Sequence, residues 1–203
     1  RVVRPQVLDV DHLGVIQRTV VGKEGVIGNI VHIHAGHATR HHHAFLAPLH
    51  HAIHHAPCSV LVVKEPPRPV RHLILAIDGS AASDKAVKFV MRTMNPTPDG
   101  PDREPVLVTI VHAMPFLKYP EVKEVGKGLV QRSGDKLAKS GFQIREAVRL
   151  GKPADEILTV AKKNKVDLIV TGAKGLGAIG RALLGSVSTR VVQHAHCSVL
   201  VVR

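Results

Sequence analysis

Four positions carry the most chemical information in this sequence: Gly172, Gly175 after two intervening residues, and the pair Gly185-Ser186 after nine more. Glycines so placed let a chain turn sharply and bring bare N–H groups against a ligand. The apolar run Leu168–Val170 ahead of them is too short to cross a membrane and suits a buried strand. From Ser186 through Val187, Ser188 and Thr189 to Val191 and Val192 an amphipathic period begins, so Ser186 stands at a predicted helix start. A strand end, a glycine-rich loop and a helix N-terminus together cradle phosphate, with N–H dipoles aimed at the anion. The spacing is neither Gly-x-Gly-x-x-Gly nor a P-loop, since no Gly-Lys-Ser/Thr closes it. A loop that only closes a turn uses the same residue types, and spacing alone does not separate the two readings.

A second chemically capable group is Asp78. It follows the apolar run His72–Ile77 and precedes Gly79-Ser80, where helical periodicity begins and places Ala82, Ala86, Val87, Phe89, Val90 and Met94 on one face. Val106–Val111, running on to His112-Ala113, predicts the next strand. Tyr119–Lys139 predicts a helix with Val122, Val125, Leu129, Val130 and Leu137 inward, and Phe142–Leu150 alternates as a strand does. Pro153 suits the first turn of a further helix, with Asp155 and Glu156 at its positive end and Lys162, Lys163 and Lys165 at its negative end. With Ser198–Val202 as the last strand, residues 71–203 read as five strands alternating with four helices. Such alternation implies an α/β fold, an open doubly wound parallel sheet with right-handed crossovers. Ligands of these sheets settle beyond the carboxyl ends of the strands, where the strand order reverses. If the strands ending at Asp78 and Gly172 are neighbours there, an acidic group and a phosphate cradle share one crevice. A nucleotide would then turn its ribose or base toward Asp78 and its phosphates toward the glycine loop.

Composition narrows the classes. The formal net charge is +12, yet Lys and Arg are scattered and aromatics make up 2% of the chain with no tryptophan, which argues against base stacking and specific nucleic-acid binding and leaves non-specific attraction to polyanions open. The two cysteines, Cys58 and Cys197, each head a Ser-Val-Leu-Val-Val run and read as packed thiols, not as a disulfide. With no leader, lipid motif or long apolar segment, a reducing, cytoplasmic setting with no membrane contact is expected. The sequence begins at Arg1 without a methionine, as expected if its true start is missing.

Residues 1–66 hold a partial echo of the rest. Ala56–Lys64 and Ala195–Arg203 agree at seven of nine positions, and Gly22-x-x-Gly25 parallels Gly172-x-x-Gly175. Aligned in this way, the first copy carries about ten extra residues before Cys58 and has Leu46-Ala47 where Gly185-Ser186 stands. That segment is rich in histidine. His50, His51, His54 and His55 stack as i, i+4 pairs if helical and could hold zinc, nickel or copper, although no Cys or carboxylate completes a tetrahedral set. A solvated, compositionally biased surface is the simpler and favoured account. The prolines of Glu65–Val70 mark a stiff boundary, so the expected organisation is a degenerate repeat over 1–66, the linker remainder 67–70 and a complete unit over 71–203.

Residues 71–203 resemble a universal stress protein domain. The resemblance rests on Ile74-Leu-Ala-Ile-Asp-Gly-Ser80, on Gly172-x2-Gly175-x9-Gly185-Ser186, which is the pattern of the family's ATP-binding branch, and on the closing His196-Cys-Ser-Val-Leu-Val-Val202. It implies the adenine nucleotide alpha hydrolase-like fold with strand order 3-2-1-4-5. It places adenine and ribose near Ala76, Ile77, Asp78 and Ala113, and the phosphates near Thr171, Gly172, Lys174, Gly175, Gly185, Ser186, Val187 and Ser188, with the Ser186 and Ser188 hydroxyls donating. ATP is the implied ligand, with Mg²⁺ or Mn²⁺ bridging its phosphates. Arg181 reads as solvated. The family's pairing through the last strand implies self-association here, either with a second copy or internally with Ser59–Val63.

The function expected is an ATP-binding stress-response module that uses the nucleotide as a signal and has an unidentified protein partner. Hydrolysis needs a group that positions water opposite the leaving phosphate, and no residue is assigned to that task. His112 reads as a packed strand-end histidine. The alternatives are an interaction module without nucleotide, or a histidine-rich metal binder.

Overall fold

The computed structural model describes residues 6–7, 15–22, 25–34, 56–64, 69–97, 104–115, 120–175 and 184–203. Nine strands form one sheet among these residues: β1 (Gln6–Val7), β2 (Val15–Gly22), β3 (Gly25–His34), β4 (Ser59–Val63), β5 (His72–Ala76), β6 (Leu107–Met114), β7 (Gln143–Leu150), β8 (Leu168–Gly172) and β9 (Ser198–Val202). Four helices accompany them: α1 (Ala81–Thr93), α2 (Pro120–Lys139), α3 (Pro153–Lys163) and α4 (Ser186–His194). The order across the sheet is β1-β2-β3-β4-β9-β8-β5-β6-β7. Numbered from β5, the complete unit therefore runs 3-2-1-4-5, all parallel, as expected.

The apolar run Leu73–Ala76 of β5 follows from its central place. Leu73 and Leu75 join the core of α1 and α2, while Ile74 joins that of α3 and α4 on the other face. A strand covered on both faces has no position to leave polar.

Helix α2 departs from the expected pattern. Val125 is 70% exposed, and the face turned to the sheet is Gly126, Val130, Ser133, Gly134 and Leu137. A Cβ on Gly126 would lie 2.5 Å from Met114 Cε and 2.9 Å from His112 Cδ2, and one on Gly134 would lie 2.9 Å from Glu146 Oε1. The helix thus packs by close approach, and glycines, which carry no hydrophobic signal, mark its inner face.

The first part of the chain also differs. Gly22 and Gly25 are partners across the tip of the β2–β3 hairpin and do not form a strand-to-helix loop. Parallel to β4 lies β3, with Ile30 opposite Ser59 as Leu168 is opposite Ser198. The separation from Ile30 to Cys58 matches that from Leu168 to Cys197 within one residue. Ile30–His34 thus stands beside β4 as β8 stands beside β9, and counted from these strands no ten-residue excess appears.

Strand β4 runs antiparallel to β9, with Val60 opposite Val201, Leu61 opposite Leu200 and Val62 opposite Val199. Because both strands read Ser-Val-Leu-Val-Val, this register places a local pseudo-twofold between Leu61 and Leu200. The apolar edge of β9, which a parallel sheet otherwise leaves open to other chains, is covered by this chain's own strand. Val60 and Val62 are fully buried at the seam. Val60→Ala is expected to lower unfolding free energy by about 2 kcal/mol, from two lost methyl groups plus residual cavity. Urea denaturation tests it, and a change under about 0.5 kcal/mol, typical of a surface site, would remove β4 from the sheet.

Candidate functional site

The crevice forms where β5 and β8 lie side by side and the strand order reverses. Ala76 is paired with Thr171, so the two chains leave the sheet together, one into Ile77-Asp78 and the other into Gly172. Gly79 holds φ +82°, a left-handed turn that suits glycine, and carries the chain from Asp78 into α1. Ser80 caps that helix: its Oγ accepts from Ser83 N–H at 3.2 Å. Asp78 Oδ1 in turn accepts from Ser80 N–H at 3.0 Å, which fixes the carboxylate beside the helix start.

On the other side, Ala173 N–H donates to Val202 O at 2.8 Å and Gly185 N–H to Ala173 O at 2.7 Å, closing the loop after β8 onto the last strand. The backbone then enters α4 with Gly185 as N-cap at φ −66°, ψ 150°. Glycine brings no capping side chain, in contrast to Ser80 at α1. The N–H groups of Ser186, Val187 and Ser188, which no helix satisfies internally, have no hydrogen-bond partner among the described residues. The same three residues line the cavity.

That cavity has a volume of about 580 Å³, within the range of small-ligand sites. All the residues expected of the site lie along it: Ala76, Ile77, Asp78, Ala113, Thr171, Gly172, Lys174, Gly175, Gly185, Ser186, Val187 and Ser188. Ser83, His112, Met114, Pro115, Pro153 and Ile157 complete the lining. Pro153 and Ile157 come from α3, whose crossing over the crevice only the assembled sheet reveals. A signal for Met114 and Pro115 lay in the sequence, since they directly follow Ala113 at a strand end. His112 Nδ1–H donates to Ile77 O at 2.9 Å, since a carbonyl can only accept, and this holds the ring at the strand end. His50, His51, His54, His55 and Arg181 lie outside the described residues, among which no group of three metal-binding side chains occurs.

Two expectations change. Ser188 Oγ donates its single proton to Gly172 O at 2.7 Å, so this residue offers the crevice its main-chain N–H and not its hydroxyl. The glycines, moreover, are not there for a sharp turn, since Gly172, Gly175 and Gly185 have no positive φ. Close approach explains two of them: a Cβ on Gly172 would meet the Ala82 backbone at 2.7 Å, and one on Gly175 the Asp78 carboxylate at 2.6 Å. Gly185 has room, its nearest contacts being 3.4–3.5 Å. What its lack of a side chain provides is the uncapped helix end.

Comparison with known proteins places these features in context. The universal stress protein family matches residues 69–203. The chain is 32% identical over 143 residues to a universal stress protein of Methanocaldococcus jannaschii, covering 66% of this chain and 82% of that protein. It is 41% identical over 83 residues to a universal stress protein of Bacillus subtilis, covering 41% of this chain and 56% of that protein, about half its length. The structure of a universal stress protein from Lactobacillus plantarum shares the fold, with TM-score 0.53 and 22% identity over 68% of this chain and 100% of that one. A universal stress protein solved in complex with cAMP superposes with TM-score 0.52 and 25% identity over 67% of this chain and 98% of that one.

The two kinds of glycine separate by experiment. Gly172→Ala is expected to destabilise by about 2–3 kcal/mol, because the obstructing atoms are backbone, whereas Gly185→Ala meets no obstruction and is expected to cost under about 1 kcal/mol, the penalty of alanine at an N-cap. Thermal and urea unfolding of the two variants checks this; equal costs would contradict the assignment.

Proposed function

The chain belongs to the universal stress protein family, and from that premise we propose that it binds an adenine nucleotide, ATP in particular, in the crevice between β5 and β8, as a nucleotide-dependent stress-response module. The observation that carries the reading is the uncapped start of α4: three N–H donors with the positive end of a helix behind them, facing a cavity of nucleotide size. Phosphates fit against Ser186, Val187 and Ser188, and the Asp78 carboxylate is placed to accept from ribose hydroxyls. Ala113, Met114 and Ile157 offer apolar surface to a base. The complex of a related protein with cAMP supports adenine nucleotides as the ligand class.

Asp78 is the one carboxylate among the lining residues, and its Oδ1 already accepts from Ser80 N–H. Mg²⁺ or Mn²⁺ accompanying ATP would therefore draw its ligands chiefly from the phosphates and water. His112 is engaged with Ile77 O and is read as a packing residue, so no lining residue is assigned to hydrolysis and the reading is ATP as a bound signal with at most weak turnover. We read residues 1–66 as an incomplete second copy whose closing strand β4 takes the place at β9 that a separate copy would otherwise fill. No described helix is long and apolar enough to cross a membrane.

Gly185→Asp tests the reading with opposite signs on two measurements. An aspartate at an N-cap of this geometry satisfies the free N–H groups itself, so thermal stability is expected to hold or rise. The same carboxylate would repel phosphate, and ATP affinity by calorimetry is expected to fall at least about thirtyfold, equivalent to about 2 kcal/mol. Wild-type protein with no affinity for ATP, AMP or cAMP, or a variant that binds ATP as well as wild type, contradicts the proposal.

A further inference from the structure

Helix α4 is held at its other end by a residue from outside the family-matched region. Lys64 directly follows β4, and its Nζ donates to Ala195 O at 2.8 Å and to Gln193 O at 3.3 Å. Ala195 is the C-cap of α4. Burial lowers the pKa of the Lys64 ammonium, an effect opposed by the neighbouring Cys197 thiol. The bond reaches across the β4–β9 seam, so its formation depends on β4 being docked.

One short helix thus receives a cation at its negative end and, on the reading above, phosphate at its positive end. Nine residues span only about 14 Å, with no break or kink between the two. A tilt or slide of α4 that loosens the Lys64 contacts also moves the N–H groups of Ser186, Val187 and Ser188 relative to Asp78. We propose that Lys64 is a positioning residue for the nucleotide phosphates, and that nucleotide binding and the seating of β4 on β9 are coupled through α4. The inference rests on the proposed nucleotide site, although the cap itself does not. Coupling between binding equilibria is reciprocal: a docked β4 tightens the hold on phosphate, and bound phosphate tightens the seam.

The test uses the full chain with Lys64→Met, which keeps the aliphatic stem, and Lys64→Arg, which keeps the charge. ATP and inorganic tripolyphosphate are titrated by calorimetry, and amide hydrogen exchange of β4 and β9 is followed with and without ATP. Lys64→Met is expected to weaken both ligands about three- to tenfold, within the range of a charge at a helix terminus, while Lys64→Arg stays within about twofold. ATP is expected to slow exchange at Val60–Val62 and Val199–Val201 in wild type and Lys64→Arg but not in Lys64→Met, a difference that a purely structural lysine would not produce. Should Lys64→Met not fold, Lys64→Gln is expected to behave in the same way. Wild-type affinity in the uncharged variant, or an ATP effect on the seam that survives without Lys64, overturns the coupling while leaving the nucleotide site intact. Wild-type protein that binds neither ATP nor tripolyphosphate overturns both.

Discussion

A helix start with no cap is a demand for a partner. In this protein the first three main-chain donors of α4, at the edge of a cavity, have no hydrogen-bond partner among the described residues, while α1, entering the same crevice from the neighbouring strand, is closed by Ser80 Oγ. Ser186 is exposed and Val187 half-buried, so these donors are open to water or to an anion that accepts several hydrogen bonds at once. The rest of the complete unit serves to hold that helix end in place. Gly172 lets α1 settle against the end of β8, Ser188 Oγ ties α4 back to Gly172 O, and Gly185 N–H ties the loop to Ala173 O.

The sheet supplies the stiffness this arrangement needs. Core side chains alternate between two faces along β5, β8 and β9, so any shift of these strands would disturb both layers of helices. On the far side of β9 the pseudo-twofold seam with β4 does more than cover an edge. It brings Lys64 to the last turn of α4, where two carbonyls take up its charge. The family-matched region and the N-terminal part of this chain therefore meet on one helix.

Much of this was legible in the residues. The order of strands and helices in residues 71–203, the apolar character of β5, the start of α4 at Ser186 and the meeting of Asp78 with the glycine loop all follow from runs and spacings. Side-chain hydropathy failed where glycine did the packing. In α2 the inner face is set by Gly126 and Gly134, so Val125, a reasonable core candidate by type, points outward. Spacing also misled at Gly22 and Gly25, since a two-residue hairpin tip and a strand–helix loop can both read Gly-x-x-Gly. The commitment of the Ser188 hydroxyl to Gly172 O, and the arrival of α3 over the crevice, depend on contacts between distant segments that a linear reading does not hold. Gly185 is the instructive case: the sequence marks it for a backbone freedom that it does not use.

The central claim is that the main-chain amides of Ser186, Val187 and Ser188 receive phosphate oxygens. Amide NMR of isotopically labelled protein during titration with ATP reads those atoms directly. The account predicts that the N–H proton resonances of these three residues move downfield together, as charge-assisted hydrogen bonds form, and saturate with the affinity measured by calorimetry. If ATP binds while those resonances stay fixed, the phosphates lie elsewhere and the reading of the uncapped helix is wrong.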